Sequence, residues 1–145
     1  MSLFTYQMVD TLPYQMVDKA PMALADQLAG RRFFVTGGTG FLGTALIERL
    51  LRCVPGSQVA VLIRPGRRAG AAGRLQREIL RNDCFDRLRA ELGASFDEAM
   101  RERVTTVDGD VTRDGLGLDA AARRELARCD LVIHAAAAVA FDAPL

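Results

Sequence analysis

Lysine occurs once in 145 residues, at Lys19, histidine once, at His134, and tyrosine only at Tyr6 and Tyr14. One histidine cannot complete a metal site, and Cys53, Cys84 and Cys129 show no Cys-x-x-Cys or Cys/His ligand spacing, so no metal is expected. The odd, widely spaced cysteines do not suggest a disulfide framework. They are read as buried, reduced thiols of a cytoplasmic protein. The N-terminus lacks a basic stretch followed by an apolar one, which argues against a secretory signal. The most apolar stretch, Leu131 to Phe141, is interrupted by His134. It falls far short of the roughly 20 residues a membrane helix needs, so no transmembrane segment is expected. Charge of one sign is lacking too. A net charge of +1 and a pI near 7.7 point to neither nucleic acid nor a membrane surface.

What is present fits one globular domain: half the residues are hydrophobic and 26% are charged. Residues 1–21 stand apart as a leader or tail in which Tyr6-Gln7-Met8-Val9-Asp10 recurs as Tyr14-Gln15-Met16-Val17-Asp18. Two copies of five residues make no solenoid array. A local duplication is the plain reading, a short docking motif the alternative. The domain itself is assigned to 22–145, opening with a short helix over Met22 to Leu28 that Gly30 stops.

From there strands and helices alternate. Arg32 to Thr36 predicts a strand. Leu42, Leu46 and Leu50 with Ile47 and Leu51 predict an amphipathic helix whose polar side carries Thr44, Glu48 and Arg52. Pro55-Gly56 marks a turn, and the unbroken apolar run Val59 to Ile63 suits a parallel strand buried on both faces. Residues 74–103 show helical spacing with breaks near Asn82-Asp83 and Gly93. Val104 to Val107 predicts a third strand, Asp119 to Arg128 a helix, and Leu131 to Ile133 a fourth strand. This is the signature of an α/β, Rossmann-like, doubly wound parallel sheet of strand order 3-2-1-4.

Between the first strand and its helix lies Thr36-Gly37-Gly38-Thr39-Gly40-Phe41-Leu42-Gly43. Gly37, Gly40 and Gly43 have the spacing of a dinucleotide-binding turn: one glycine for the tight turn, one for close approach to a pyrophosphate, one for helix–strand packing. Backbone N–H groups around Phe41 and Leu42, with the helix dipole behind them, are expected to face the phosphates. No Gly-Lys-Ser/Thr follows, which excludes a P-loop. The second strand ends in Arg64, followed by Pro65-Gly66-Arg67-Arg68, with no acid nearby. An acid there would select NAD, whereas arginine accommodates a 2′-phosphate, so NADP(H) is the expected cofactor. A solvated basic loop is the competing reading. Residues 64–103 hold ten arginines against seven acids, but interspersed and with just two phenylalanines, so no nucleic-acid partner is expected.

Asp108 and Asp110 follow the third strand, two apart, which puts both on one side of an extended backbone. Asp110 suits a contact to the adenine amine with Val111 against the ring; an ordinary strand-end turn is the alternative. His134 is read as structural. Ala135, Ala136 and Ala137 let backbone approach the cofactor closely.

Taken together, TGGTGFLG at 36–43, Arg64, Gly109-Asp110-Val111 and the His134–Ala137 run resemble extended short-chain dehydrogenases/reductases over roughly residues 24–145. More narrowly they resemble the male-sterility-type thioester-reductase branch: fatty acyl-CoA reductases and the reductase domains of carboxylic acid reductases and peptide synthetases. The long stretch between strands two and three, Gly115-Leu116-Gly117-Leu118, and Val139, Phe141 and Asp142-Ala143-Pro144 point the same way. The resemblance implies hydride delivery from NADPH to an acyl-CoA or acyl-carrier thioester, giving aldehyde or alcohol. It also implies a catalytic tyrosine, a lysine four residues later and a serine or threonine. No Tyr-x-x-x-Lys exists here, and Tyr14 and Lys19 precede the fold. No catalytic residue is therefore assigned, the domain is expected to hold its first four strands only, and the chain alone is expected not to turn over. Another extended-family enzyme, such as an epimerase or ketone reductase, and a non-catalytic NADP(H)-binding module remain the alternatives.

Overall fold

The structure, a computed structural model, describes residues 23–66 and 70–137. The duplicated YQMVD segments, Arg67, Arg68 and the stretch from Val139 to Pro144 lie outside the described residues. The chain order is α1 (Leu24–Gln27), β1 (Arg32–Thr36), α2 (Phe41–Cys53), β2 (Gln58–Ile63), α3 (Ala71–Arg74), α4 (Asp86–Leu92), α5 (Phe96–Arg103), β3 (Val104–Asp108), α6 (Ala120–Ala127) and β4 (Leu131–His134). A wide π-helical turn, Leu75–Leu80, continues α3.

The four strands pair in parallel in the order β3-β2-β1-β4. The expected topology is thus observed, and its cause is visible in the strand sequences. In β1 and β2 every second residue joins one of two cores. Phe33, Val35, Val59, Val61 and Ile63 pack with Ile47 and Leu51 of α2 and with Leu75, Ile79, Phe85, Leu88, Phe96 and Met100 of the crossover. Phe34, Ala60 and Leu62 face the other way, onto Val107, Leu118 and Ala122. The connections from β1 to β3 therefore cover one face and α6 covers the other. The chain switches sides between β3 and β4, which opens a crevice at the carboxyl ends of β1 and β4. Val132 on β4 is 63% exposed.

Local stops match the chemistry. Asp119 caps α6, its Oδ1 accepting from the Ala122 amide at 2.8 Å. Asn82 caps the short turn after Arg81, its Oδ1 accepting from the Cys84 amide at 3.1 Å. Gly93, with φ of 53°, ends α4.

Three expectations need correction. The polar side of α2 is not a solvent side: Thr44 and Glu48 are buried, whereas Leu42 is 58% exposed and Leu46 and Leu50 half-buried. Burial is tolerated because Thr44 Oγ lies 2.8 Å from the carbonyls of both Gly38 and Gly40, and Glu48 accepts from Arg52 Nε at 2.5 Å. The cysteines are not all buried. Cys84 is exposed, because the turn that carries it sends Phe85 into the core instead, and Cys53 and Cys129 are intermediate; all three are free. Finally, Asp108 and Asp110 do not share a site. The backbone leaves the strand at Gly109, so Asp108 opens toward α6 and Asp110 toward the carboxyl-end crevice.

Candidate functional site

A cleft of about 310 Å³ lies at the carboxyl ends of the strands. Gly37, Thr39 and Gly40 from the β1–α2 turn line it, with Arg64 after β2, Gly109 to Thr112 after β3, and Ala135 to Ala137 after β4. Nine of the twelve residues expected from sequence to bind the cofactor thereby converge from separate strand ends. Phe41, Leu42 and Gly43 stand outside that lining, and Phe41 is 96% exposed.

The glycines explain the shape of the turn. Gly37 has φ of 71°, and a Cβ there would sit 2.5 Å from the Ala135 carbonyl carbon and closer still to the Ala136 amide. β1 therefore turns directly against the end of β4, with Ala135 N donating to Thr36 O at 3.2 Å. A Cβ on Gly43 would lie 2.7 Å from the Gly37 carbonyl carbon and 2.9 Å from Gly38 Cα, so the third glycine lets the helix sit on the turn. Gly40 N donates to Gly37 O at 3.0 Å, and Gly40 begins α2 with no side-chain cap. The first intrahelical bond recorded there runs from Thr44 N to Gly40 O. The amides of Phe41, Leu42 and Gly43 precede it, at the positive end of a 13-residue helix.

Arg64 and Asp110 face each other at the β2 and β3 side of the cleft, with Nη1 3.7 Å from Oδ2. The Arg64 side chain is 70% exposed. Asp110 Oδ1 accepts from the Thr112 amide at 3.0 Å and the Thr112 hydroxyl at 2.8 Å. These two bonds, with Arg64 adding to them, hold the carboxyl below the usual carboxylate range. It is therefore an ionised acceptor at neutral pH, with Oδ2 turned toward the cleft's arginine. His134 shares a 2.7 Å hydrogen bond between its Nδ1 and the Thr36 hydroxyl, which ties β4 to β1 as a structural histidine would.

Four residues of the site escaped sequence reasoning. Arg74 lines the cleft: Nη1 donates to the Arg64 carbonyl at 2.7 Å, and Nε and Nη2 bind Glu78 at 2.9 and 2.7 Å. That pairing holds the Glu78 carboxyl below its ordinary range. An arginine in the first turn after the basic loop was the available signal. Thr112 was legible as the second residue after Asp110, the spacing of an Asx-type turn. Gly38 and Thr44 had no local signature. A Cβ on Gly38 would lie 2.5 Å from Val61 Cγ1, a cross-strand fact that appears only once β1 and β2 pair.

Among the described residues no group of three or more metal-ligating side chains converges, and no helix is long and apolar enough to cross a membrane.

Comparison with known proteins agrees with this geometry. Residues 35–145 match the NAD-binding family described as Male sterility protein. The chain is 35% identical over 117 residues to fatty acyl-CoA reductase 2, chloroplastic, of Arabidopsis thaliana, covering 79% of this chain and 19% of that protein. It is 36% identical over 117 residues to the alcohol-forming fatty acyl-CoA reductase of Simmondsia chinensis, covering 79% and 24%. Among solved structures, the reductase domain of a non-ribosomal peptide synthetase from Mycobacterium tuberculosis superposes with a TM-score of 0.56 at 34% identity, over 79% of this chain and 26% of that one. The chain thus spans about a fifth to a quarter of the length of these relatives. The strand order, the glycine turn and the match over 35–145 agree: the chain belongs to the NAD-binding family described as Male sterility protein.

Proposed function

We propose that the cleft binds NADPH and that the protein carrying this segment reduces an acyl thioester, on coenzyme A or a carrier protein, to an aldehyde or alcohol. The observation that carries the cofactor half is the pairing of Arg64 with Asp110 over a turn in which Gly37 leaves no room for a side chain. The residues fit the group. The α2 amides suit a pyrophosphate. Arg64, 70% exposed and 3.7 Å from Asp110 Oδ2, suits a 2′-phosphate, and Arg74 stands beside it with three of its five N–H groups engaged. Asp110 Oδ2 suits the exocyclic amine of adenine and Val111 its ring. The small residues Ala135, Ala136 and Ala137 leave space along β4 for the rest of the cofactor.

When bound, the cofactor supplies a hydride to the thioester carbonyl. The residues of this chain bind and orient it; none is assigned proton transfer, since no Tyr-x-x-x-Lys occurs in the sequence. The substrate class rests on the relatives, named as fatty acyl-CoA reductases and as a peptide-synthetase reductase domain. A reducing compartment, the cytoplasm, suits the three free thiols.

Titration of the 145-residue chain with NADPH and NADH, followed by nicotinamide fluorescence, tests the cofactor half. NADPH is expected to bind more tightly. Arg64→Ala should weaken NADPH by about tenfold or more, as loss of a charge-assisted contact does, and leave NADH nearly unchanged. Equal affinity for the two cofactors would refute the 2′-phosphate role; no binding at all would refute the site.

A further inference from the structure

The loop between β3 and α6 contains a backbone feature that cofactor contacts alone do not explain. Gly115, Leu116 and Gly117 all have positive φ, at 57°, 60° and 62°. Three successive left-handed residues are rare, and a leucine in the middle of them is strained, since its Cβ crowds the following carbonyl. Leu116 is the one non-glycine residue with positive φ among the described residues.

The hydrogen bonds of that turn lead back to Asp110. The Leu116 carbonyl accepts from the Asp110 amide at 2.8 Å. The Leu116 amide donates to the Arg113 carbonyl at 2.9 Å, and the Arg113 amide donates to the Asp110 carbonyl at 3.1 Å. Both main-chain groups of Asp110 are therefore held by the same loop, while Thr112 holds Oδ1. The turn is also pressed against the residue before Asp110. A Cβ on Gly109 would lie 2.8 Å from the Leu116 carbonyl oxygen and 2.6 Å from Leu62 Cδ1. In this conformation one residue gives its side chain to the second core, against which Leu116 packs half-buried, and its carbonyl to Asp110.

We infer that the left-handed turn 115–117 is a positioning device for the adenine end of the cleft, with Leu116 as the positioning residue whose carbonyl fixes Asp110. The inference rests on the cofactor reading above. The strain is retained where a single backbone acceptor must be aimed at Asp110 N. Of the charged cleft residues, Asp110 is the one the turn hydrogen-bonds, so its effect falls on the adenosine half of the cofactor.

Two half-cofactors separate the possibilities: 2′,5′-ADP, which carries adenine, and reduced nicotinamide mononucleotide, which does not. Their affinities for the 145-residue chain are compared with those of Gly117→Val, Gly117→Asn and Leu116→Gly, with circular dichroism confirming the fold of each. Valine is excluded from the left-handed region, and the space at 117 faces only the Arg113 side chain. Gly117→Val should weaken 2′,5′-ADP by about tenfold and leave the mononucleotide within about twofold. Asparagine tolerates positive φ, and Leu116→Gly keeps the carbonyl and the dihedral, so both should bind 2′,5′-ADP within about threefold of the unsubstituted chain. Should the valine chain fail to fold, Gly117→Ala, a milder form of the same change, carries the comparison. Unchanged 2′,5′-ADP affinity in the folded valine or alanine chain overturns the inference. So does an equal loss for both half-cofactors, or a loss in Leu116→Gly as large as in Gly117→Val. If the unsubstituted chain binds neither NADPH nor 2′,5′-ADP, the cofactor reading itself has failed, an outcome distinct from these.

Discussion

Gly43→Ala adds one methyl group at the point where α2 rests on the phosphate-binding turn. The new Cβ would meet the Gly37 carbonyl carbon at 2.7 Å and Gly38 Cα at 2.9 Å, with the Gly37 oxygen closer still. All three are backbone atoms, so no side chain can swing away. The oxygen is the tightest of the three, and opening it to ordinary contact requires a shift of about 1 Å or more between helix and turn. Overpacking of this kind costs about 1–3 kcal/mol, and a backbone clash belongs at the upper end. Alanine returns at most about 1 kcal/mol through its better helix propensity. The net loss is then about 1–2 kcal/mol, or a fall in Tm of roughly 4–8 °C for a domain of this size. Binding should suffer more than stability. A shift of that size carries the Phe41 and Leu42 amides beyond good hydrogen-bond length from any anion on the turn, so the NADPH Kd should rise at least about tenfold.

Gly40→Ala supplies the control. Its Cβ would meet only the Gly37 oxygen, at 3.3 Å, a distance that a few tenths of an ångström relieve. Gly40 lines the cleft itself, however, so its methyl group intrudes on the ligand. Melting followed by circular dichroism and titration followed by nicotinamide fluorescence should therefore separate the two variants. Gly43→Ala loses both stability and affinity, Gly40→Ala mainly affinity. If Gly43→Ala melts and binds like the unsubstituted chain, the helix does not rest on the turn as described and the reasoning fails.

Two further outcomes follow from the ends of the sheet. Asp130 accepts from the Arg32 amide at 2.8 Å and from Arg31 Nη1 at 3.1 Å, and these bonds hold its carboxyl below the usual range. Its stabilising contribution is full above the unfolded value of about 3.9 and disappears as pH falls through the lower folded value, so urea midpoints should drop less steeply on acidification in Asp130→Asn. Arg103, whose charged form burial disfavours, donates to the Ser57 carbonyl and hydroxyl, both at 2.9 Å. Arg103→Met keeps the apolar stem but strands those acceptors beside a fully buried serine, and should lower unfolding free energy by about 1–3 kcal/mol, read from the urea midpoint.

Much of the fold was legible because its signals are local. The apolar run at Val59 to Ile63, the glycine spacing at 37, 40 and 43 and the breaks at Asn82 and Gly93 each mark their own element, and each stands where the sequence puts it. The sidedness of α2 was not legible. Counting leucines puts Leu42, Leu46 and Leu50 inward, but the long crossover between β2 and β3 covers the Thr44–Glu48 side, and an i,i+4 pair with Arg52 makes a buried glutamate tolerable. Asp108 and Asp110 failed for a related reason. Alternation along a strand holds only while the strand continues, and Gly109 ends it by allowing an approach to Leu62 and Leu118 that no side chain would permit. Residues that reach the cleft through their own backbone or charge, such as Gly37 and Arg64, could be picked out from the sequence. A residue was missed where its role comes from a partner distant in sequence, as with Gly38 under Val61.

The same distinction bears on how the cleft is built. Its walls come from four strand ends that touch one another only in the folded sheet, yet each end is shaped by a residue chosen for what it omits: no Cβ at Gly37, Gly43 or Gly109, and a single methyl at Ala135 and Ala136. Gly37 and Ala136 illustrate the coupling. β1 can turn tightly only because β4 ends in a backbone with small side chains, and β4 can pair with β1 up to His134 only because the turn above it has no side chain. A sheet of order β3-β2-β1-β4 creates a crevice in any case, since its connections leave opposite faces at β1. Small residues at the ends of β1 and β4 decide whether backbone donors can reach into that crevice. The charged pair at the ends of β2 and β3, Arg64 and Asp110, stands on the other side of the same crevice. Topology supplies the location, omitted side chains the access, and an exposed arginine beside a half-buried aspartate the charge.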